Sequence, residues 1–311
     1  TYPGIFEQQV SDLFNHTADP LLLAICGEYL LRIGNKYHQQ IVQKCSGLPP
    51  ADSSQVHLNR LISRVQSLSG SQPVPSLKEL LYHTYFDSAV VVFSLQRKNR
   101  NYPGIALVRD KKGHFVKDDS GNFFAIPQLA RSISNLPGYI SNGNTPQGIF
   151  RMYGTAVSKS NFIGPTPNIQ LTMPVEASLQ HFINDSTITD TAWTWQHYRN
   201  LLPGNWKNFA PVYEAYFAGR AGRTEIIAHG STVDPAYYKG QSYYPLTPTL
   251  GCLCTMELWS GTDGKRMFSD QQRLVDALAR AGGANGYYLV VEIDDAQRPV
   301  ELKDVVEWLH Q

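Results

Sequence analysis

His229 closes the apolar run Ile226-Ile227-Ala228, and a Gly-Cys step follows downstream at Gly251-Cys252. A histidine and a glycine-flanked cysteine are what a thiol nucleophile and its base require. A free cysteine titrates at about 8.5, so only a few per cent is thiolate at neutral pH unless an imidazole or oriented backbone N–H groups intervene. Gly251 carries no side chain, so a substrate carbonyl can approach the N–H groups of residues 250 to 252, which are candidate donors to a developing oxyanion. Cys252 and His229 are therefore the candidate catalytic pair.

The elements that must position this pair are legible around it. Ile226, Ile227 and Ala228 read as the buried end of a strand that holds His229 at its exit. The intervening span carries Tyr237, Tyr238, Tyr243 and Tyr244 with Pro235, Pro245 and Pro248. So proline-rich a stretch is not expected to be helical, and so aromatic a one reads as an ordered lid or pocket wall shielding the thiol. Each residue also has a plainer reading: a lone cysteine is an inert small core residue and a lone histidine a satisfied polar one. Cys254 adds a bridge or redox partner for Cys252 as a third possibility. The C-x-C spacing differs from the C-x-x-C of thioredoxin-like motifs, and no cysteine or histidine pair sits at zinc-ligand spacing, so no metal or other cofactor is expected.

At two places the sequence resembles a known family. His229-Gly230 followed by Thr249-Leu250-Gly251-Cys252 resembles the signature of L,D-transpeptidases of the YkuD type, in which a histidine precedes a Ser/Thr-His-Gly-Cys block. Upstream, NTPQGIFRM at 144 to 152 resembles the family's Thr-Pro-x-Gly-x-Phe segment, which leads into a core strand. The likeness spans residues 86 to 296. It implies Cys252 as nucleophile, His229 as base, the Gly230 carbonyl as the group orienting the imidazole, and the backbone at Gly251 and Cys252 as the oxyanion hole. Thr249 takes the Ser/Thr position and, with Ser231 and Tyr244, is an expected substrate contact. The chain departs from the pattern at Leu250, where the family has a second histidine, at Cys254, where it has Arg or Asn, and in a longer His-to-Cys interval.

The resemblance implies acyl transfer on peptidoglycan stem peptides through a Cys252 thioester. The thiol attacks the bond after the meso-diaminoacid of a tetrapeptide stem, releases the terminal D-amino acid, and passes the acyl group to a second amine. With water as acceptor the same site is a carboxypeptidase or endopeptidase. A noncatalytic wall-binding descendant is the third reading, suggested by Leu250 and Cys254. Carbapenem-type β-lactams are expected to acylate Cys252, and the implied location is the periplasm or cell envelope, outside the cytoplasmic membrane. Thr1 in place of an initiator methionine fits a leader removed by processing.

Composition narrows the alternatives. The 311 residues carry 27 basic and 26 acidic side chains for a formal charge of +1, and the longest basic cluster is RKNR at 97 to 100. That balance argues against nucleic acid as a partner, and RKNR reads as a solvated loop between strands. No apolar run approaches the 18 or so residues of a membrane span. Four cysteines are present, and Cys26 with Cys45 either link two N-terminal helices or remain buried thiols.

The expected class is α+β: an N-terminal helical bundle over 1–85, then a mainly β catalytic domain over 86–311, which the resemblance implies to be a YkuD-like β-sandwich, with helical insertions. Asp19-Pro20 opens LLLAICGEYLLRI as N-cap and first turn, and Asp52 opens QVHLNRLISRVQSL. Gly34 and Gly47 read as helix stops, and SGSQPVPS breaks the pattern before LKELLYHTYF. The helical region is expected to be an appendage packed on the catalytic part, with positioning on the wall or on a partner as its other reading. AVVVFSL starts the strands, and RDKKG and KDDSG place turn chemistry eight residues apart, as in a meander. Residues 176 to 218 read as helices whose aromatics pack a core, with a groove at Trp193, Trp195 and Trp206 as the other reading. Ser269 caps DQQRLVDALARAG, GGANG is a stop and turn, YYLVVEI returns to strand, and 301 to 310 reads as a last amphipathic helix.

Overall fold

The computed structural model describes residues 4–47, 54–68, 72–84, 88–190 and 192–310. The expected boundary at 85/86 and the expected cap Asp52 lie outside the described residues, as do Tyr85 and Phe86 at the end of LKELLYHTYF. The fold is mixed α+β, with helices before the first strand and an eight-stranded sheet after it.

Helices α1 (Glu7–His16), α2 (Pro20–Leu31), α3 (His38–Ser46) and α4 (Ser54–Ser67) pack around Phe14, Leu23, Leu30, Ile41, Leu58 and Leu61. Asp19 caps α2 as its sequence predicts, its side chain accepting from the Leu22 amide at 2.7 Å. Cys26 and Cys45 join this cluster as free buried thiols, and burial pushes Cys45 up to about 11. Both therefore stay protonated and inert. The other face of α2 ties these helices to the rest of the chain. Ala24 packs on Tyr139 and Ile140, the Tyr139 hydroxyl donates to Glu28 Oε1 at 2.8 Å, and Arg32 reaches the Asn135 carbonyl.

Among the described residues ten strands follow the short helix α5 (Leu77–Leu81). The large sheet uses β1 (Val90–Arg97), β2 (Gly104–Arg109), β3 (Ile126–Gln128), β4 (Gly148–Ala156), β5 (Asn168–Thr172), β6 (Ile227–His229), β7 (Leu253–Cys254) and β10 (Asn285–Asp294), in the order β3-β2-β1-β10-β4-β5-β6-β7. The pairs β1/β10 and β6/β7 are parallel. Beyond β3, Leu129 exchanges two 2.8 Å hydrogen bonds with Cys254 of β7, so the two edges meet and the sheet nearly closes. A β8 (Glu257–Trp259) and β9 (Arg266–Ser269) hairpin leads into α9 (Asp270–Ala281).

Both faces of the sheet are covered, which is why β1 is buried along its whole length. Val90, Val92, Phe150, Met152 and Tyr288 share one core with Leu274, Ala277 and Leu278 of α9. Val91, Phe93, Leu95, Ile149 and Leu289 face a second core of aromatics from α7 (Trp195–Asn200) and α8 (Glu214–Arg220), with α6 (Leu179–Ile183) at its margin. Trp206 is fully buried there and Trp193 packs against the same core beside Phe182; Trp195, by contrast, is 49 % exposed. Core packing thus accounts for two of the three tryptophans. The 176 to 218 region is helical only in pieces, because Pro203 and Pro211 reduce its centre to two 3-10 turns, 204–208 and 210–213.

The turn chemistry at RDKKG and KDDSG holds. Asp110 accepts from the amides of Lys112 and His114, and Asp118 from those of Ser120 and Asn122. Ser269 caps α9 through the Gln272 amide, and Gly282 ends it at φ 113°. Two expectations are corrected. RKNR does turn the chain between β1 and β2, but Arg97 and Arg100 are buried, Arg97 bridging Asp294 and Asp304 and Arg100 pairing with Glu292. Burial is tolerated because each guanidinium meets a carboxylate. The last segment forms two 3-10 turns, 302–304 and 306–308, in place of an α-helix. Asp304 accepts from the Glu301 amide, Arg97 and Arg298, which pins the first turn before α-helical bonding can propagate.

Candidate active site

The candidate pair sits where the two short strands β6 and β7 run side by side. Their parallel register pairs Ala228 with Leu253 and His229 with Cys254, which places Cys252, one residue before β7, level with Ile227. The register thus brings Cys252 beside the chain that carries His229, two positions upstream of the imidazole. The sulfur itself donates to the Glu225 carbonyl at 3.7 Å and receives from the Ile227 amide. It therefore lies beside residues 225 to 227, two to four positions, or about 7 to 13 Å of extended chain, before His229. Cys252 is free and partly exposed; Cys254 is free, fully buried against Thr247, and pushed up to about 12 by burial. No bridge joins them, and Cys254 is a core thiol.

His229 is 5 % exposed, and its Nδ1 lies against the Gly230 carbonyl. A carbonyl only accepts, so Nδ1 carries the hydrogen and Nε2 is left as the basic nitrogen. Burial holds the imidazole below its ordinary range and pushes the Cys252 thiol above its own, against the opposing pull of the Ile227 amide and the Arg223 guanidinium. Both groups are neutral near pH 7. A neutral thiol and a neutral imidazole are the resting protonation states that a general-base mechanism starts from.

Thr249, Gly251 and Cys252 form a self-braced turn. Thr249 Oγ1 donates to the Cys252 carbonyl at 2.8 Å and accepts from the Gly251 amide at 2.9 Å. Thr249, expected as a substrate contact, is thus engaged as a brace of the Cys252 turn. The Gly251 N–H is likewise occupied, leaving the amides of Leu250 and Cys252 as the oxyanion candidates. Ser231 is buried and spends its hydroxyl on the Phe162 carbonyl and the Val233 amide, for the same reason a bracing residue. Tyr244 is about half exposed, and so are the Leu250 side chain and, more fully, Tyr237. Of the tyrosine-rich span, Tyr243 is anchored beside Leu129 and Leu246 with Arg131 stacked on its ring, and a 3-10 turn runs over 235–238.

The two separated motifs converge here. Thr145 Oγ1, from the segment entering β4, donates to the Gly251 carbonyl at 2.9 Å in a fully buried contact. Arg223, which nothing in the sequence singles out, completes the clamp: its guanidinium donates to the carbonyls of Gly138, Asn144 (2.8 Å), Gly143 (2.8 Å) and Gly251 (3.4 Å). Burial lowers it to about 10, yet it remains charged at pH 7 and favours a thiolate at Cys252. Glu225 is the second residue missed. It holds φ at 62°, its amide donates to Glu176, and that left-handed backbone turns its carbonyl toward the sulfur. Glu257 packs directly behind Gly230, where any Cβ would overlap its carboxyl group.

Gly251 has no tolerable substitute. Its φ is 117°, and a Cβ would overlap Arg223 Nη2 and the Gly143 carbonyl oxygen. Gly251→Ala is expected to lower acylation of Cys252 by about 100-fold or more, the scale of an ångström-sized misplacement of a reacting group. Single-turnover acylation rates followed by intact mass check this, with a wild-type rate counting against the clamp. Among the described residues no group of three or more His, Cys, Asp or Glu side chains is placed to hold a metal ion, and no helix is long and apolar enough to cross a membrane. No protein-family model matches the chain, and comparison with curated protein sequences and with solved structures gives no match.

Proposed function

We propose that the chain is a cysteine acyltransferase of the L,D-transpeptidase type, acting on peptidoglycan stem peptides. The observation that carries this reading is the convergence of both motifs on one turn: Thr145 and Gly251 share a hydrogen bond beside a partly exposed free cysteine, and His229 is oriented through Nδ1 on the next strand. In this reading residues 86–311 are a catalytic domain with the sheet layers of a YkuD-type sandwich, and the first 85 residues are a helical appendage. The reaction places the protein in the periplasm or cell envelope.

His229 Nε2 takes the thiol proton as Cys252 Sγ bonds to the carbonyl carbon after the meso-diaminoacid. The oxyanion that forms is met by the Leu250 and Cys252 amides in a field biased by Arg223. Collapse breaks the C–N bond, and His229 returns its proton to the leaving D-amino acid. An incoming amine then attacks the thioester, gives its proton to His229, and releases the thiol. Exposed Leu250, standing where the family has a second histidine, offers an apolar edge to the substrate.

The test is incubation with a disaccharide-tetrapeptide and an isotopically labelled free D-amino acid. Incorporation of the label with equimolar loss of the original terminal residue is the expected result. Accumulation of tripeptide alone assigns the same thiol to hydrolysis. An unchanged substrate, together with no carbapenem adduct, removes the enzymatic reading and leaves wall binding.

A further inference from the structure

A groove of about 430 Å³ lies between α4 and α8, and neither Cys252 nor His229 lines it. Its walls are aromatic and cationic: Trp195, Tyr213, Tyr216 and Phe217 on one side, Arg60 and Arg220 at its margins. Trp195 is about half exposed although it stands on a helix whose neighbouring aromatics are buried, and Arg199 from the next turn lies over its ring at 5.8 Å. Arg60 stacks on Phe217 at 4.7 Å, and its Nε is buried without a hydrogen-bond partner among the described residues. Guanidinium groups at the margin of an aromatic groove are the groups that recognise an anionic ligand. Asn59 and Ser63 add polar groups to the same wall.

Aromatic faces accept the C–H face of a pyranose ring, arginine accepts a carboxylate, and amide and hydroxyl side chains match ring hydroxyls. We propose that this groove binds an acidic amino sugar, the chemistry of a stem-free muramyl residue with its lactyl carboxylate uncapped. The sugar chemistry comes from the groove; its assignment to the wall glycan rests on the reading given above. The geometry suits that assignment. Arg220 lies three residues before Arg223, so their Cα atoms are at most about 11 Å apart, and Arg223 reaches the carbonyl of Gly251. A glycan strand held along α8 would present a neighbouring stem peptide to the Cys252 turn.

The test uses the full chain and two disaccharides, N-acetylglucosaminyl-N-acetylmuramic acid and chitobiose, with binding read by tryptophan fluorescence and calorimetry. The acidic disaccharide is expected to bind at least tenfold more tightly than chitobiose. Trp195→Ala and Arg220→Gln, both at exposed positions, are each expected to weaken it at least tenfold with the melting temperature and the rate of carbapenem acylation unchanged. Equal binding of the two sugars, no saturable binding, or full binding by Trp195→Ala overturns the proposal. Saturable, Trp195-dependent binding in a protein that fails to acylate keeps the groove and discards the transferase.

Discussion

His229→Ala is expected to slow carbapenem acylation of Cys252 by about 10²- to 10⁴-fold at pH 7, the usual contribution of a positioned general base, and Cys252→Ala is expected to abolish the adduct altogether. The magnitude follows from the resting state of the pair. With the thiol pushed above its ordinary range and the imidazole held below its own, the spontaneous thiolate population is small, so nearly all reactivity at neutral pH depends on proton transfer to Nε2. The pH dependence carries the same signature. Protonation of His229 removes the base, and because its folded pKa lies below the ordinary 6.5, wild-type activity should persist through pH 6.5 and fall only at lower pH. In His229→Ala that acid limb should vanish, leaving a rate that climbs with thiol ionisation at alkaline pH. Stopped-flow acylation between about pH 4.5 and 10, confirmed by intact mass, measures both limbs, and an unaltered rate in His229→Ala would falsify the assignment of the base.

Arg223→Ala should act on stability and chemistry together. The substitution strips donors from four carbonyls that hold the 138–144 segment against the Cys252 turn. At about 1 to 3 kcal/mol for each buried acceptor left unpaired, and with water able to enter the vacated space, a loss of roughly 3 kcal/mol is expected. For a chain of this size that is a fall in melting temperature on the order of 6 °C. Removing the buried positive charge should also raise the Cys252 thiol further, displacing the alkaline limb of iodoacetamide alkylation to higher pH. Arg223→Lys keeps the charge but loses the planar fork, so it should restore the alkylation profile better than the melting temperature. A variant that melts like wild type and alkylates with an unshifted profile would remove Arg223 from the site.

These expectations rest unequally on sequence and on fold. Capping and turn chemistry were local and therefore readable: Asp19 and Ser269 bond amides three residues away, and Asp110 and Asp118 close their turns within four. Strands β1 and β10 announced themselves as β-branched and aromatic runs because both of their faces are buried. The misread segments failed for one reason. RKNR looks solvated until Asp294, Asp304 and Glu292, about two hundred residues away, arrive to pair with Arg97 and Arg100, and the same Asp304 anchors keep the C-terminal segment from becoming an α-helix.

At the site, residue type and spacing were sufficient to nominate Cys252 and His229, because a nucleophile and its base must be particular side chains whatever the fold around them. The clamp that organises them depends on contacts with no sequence period. Arg223 acts through backbone carbonyls that any residue type supplies, Glu225 through a left-handed φ at a non-glycine position, and Thr249 through a turn that uses up the hydroxyl its type advertises for substrate. The linear chain thus determined which atoms are available for chemistry. Only the closure of the sheet, which sets β7 beside β6 and brings 129 to 145 against 249 to 254, decided how those atoms are oriented and charged, since orientation and burial depend on residues that meet only after folding.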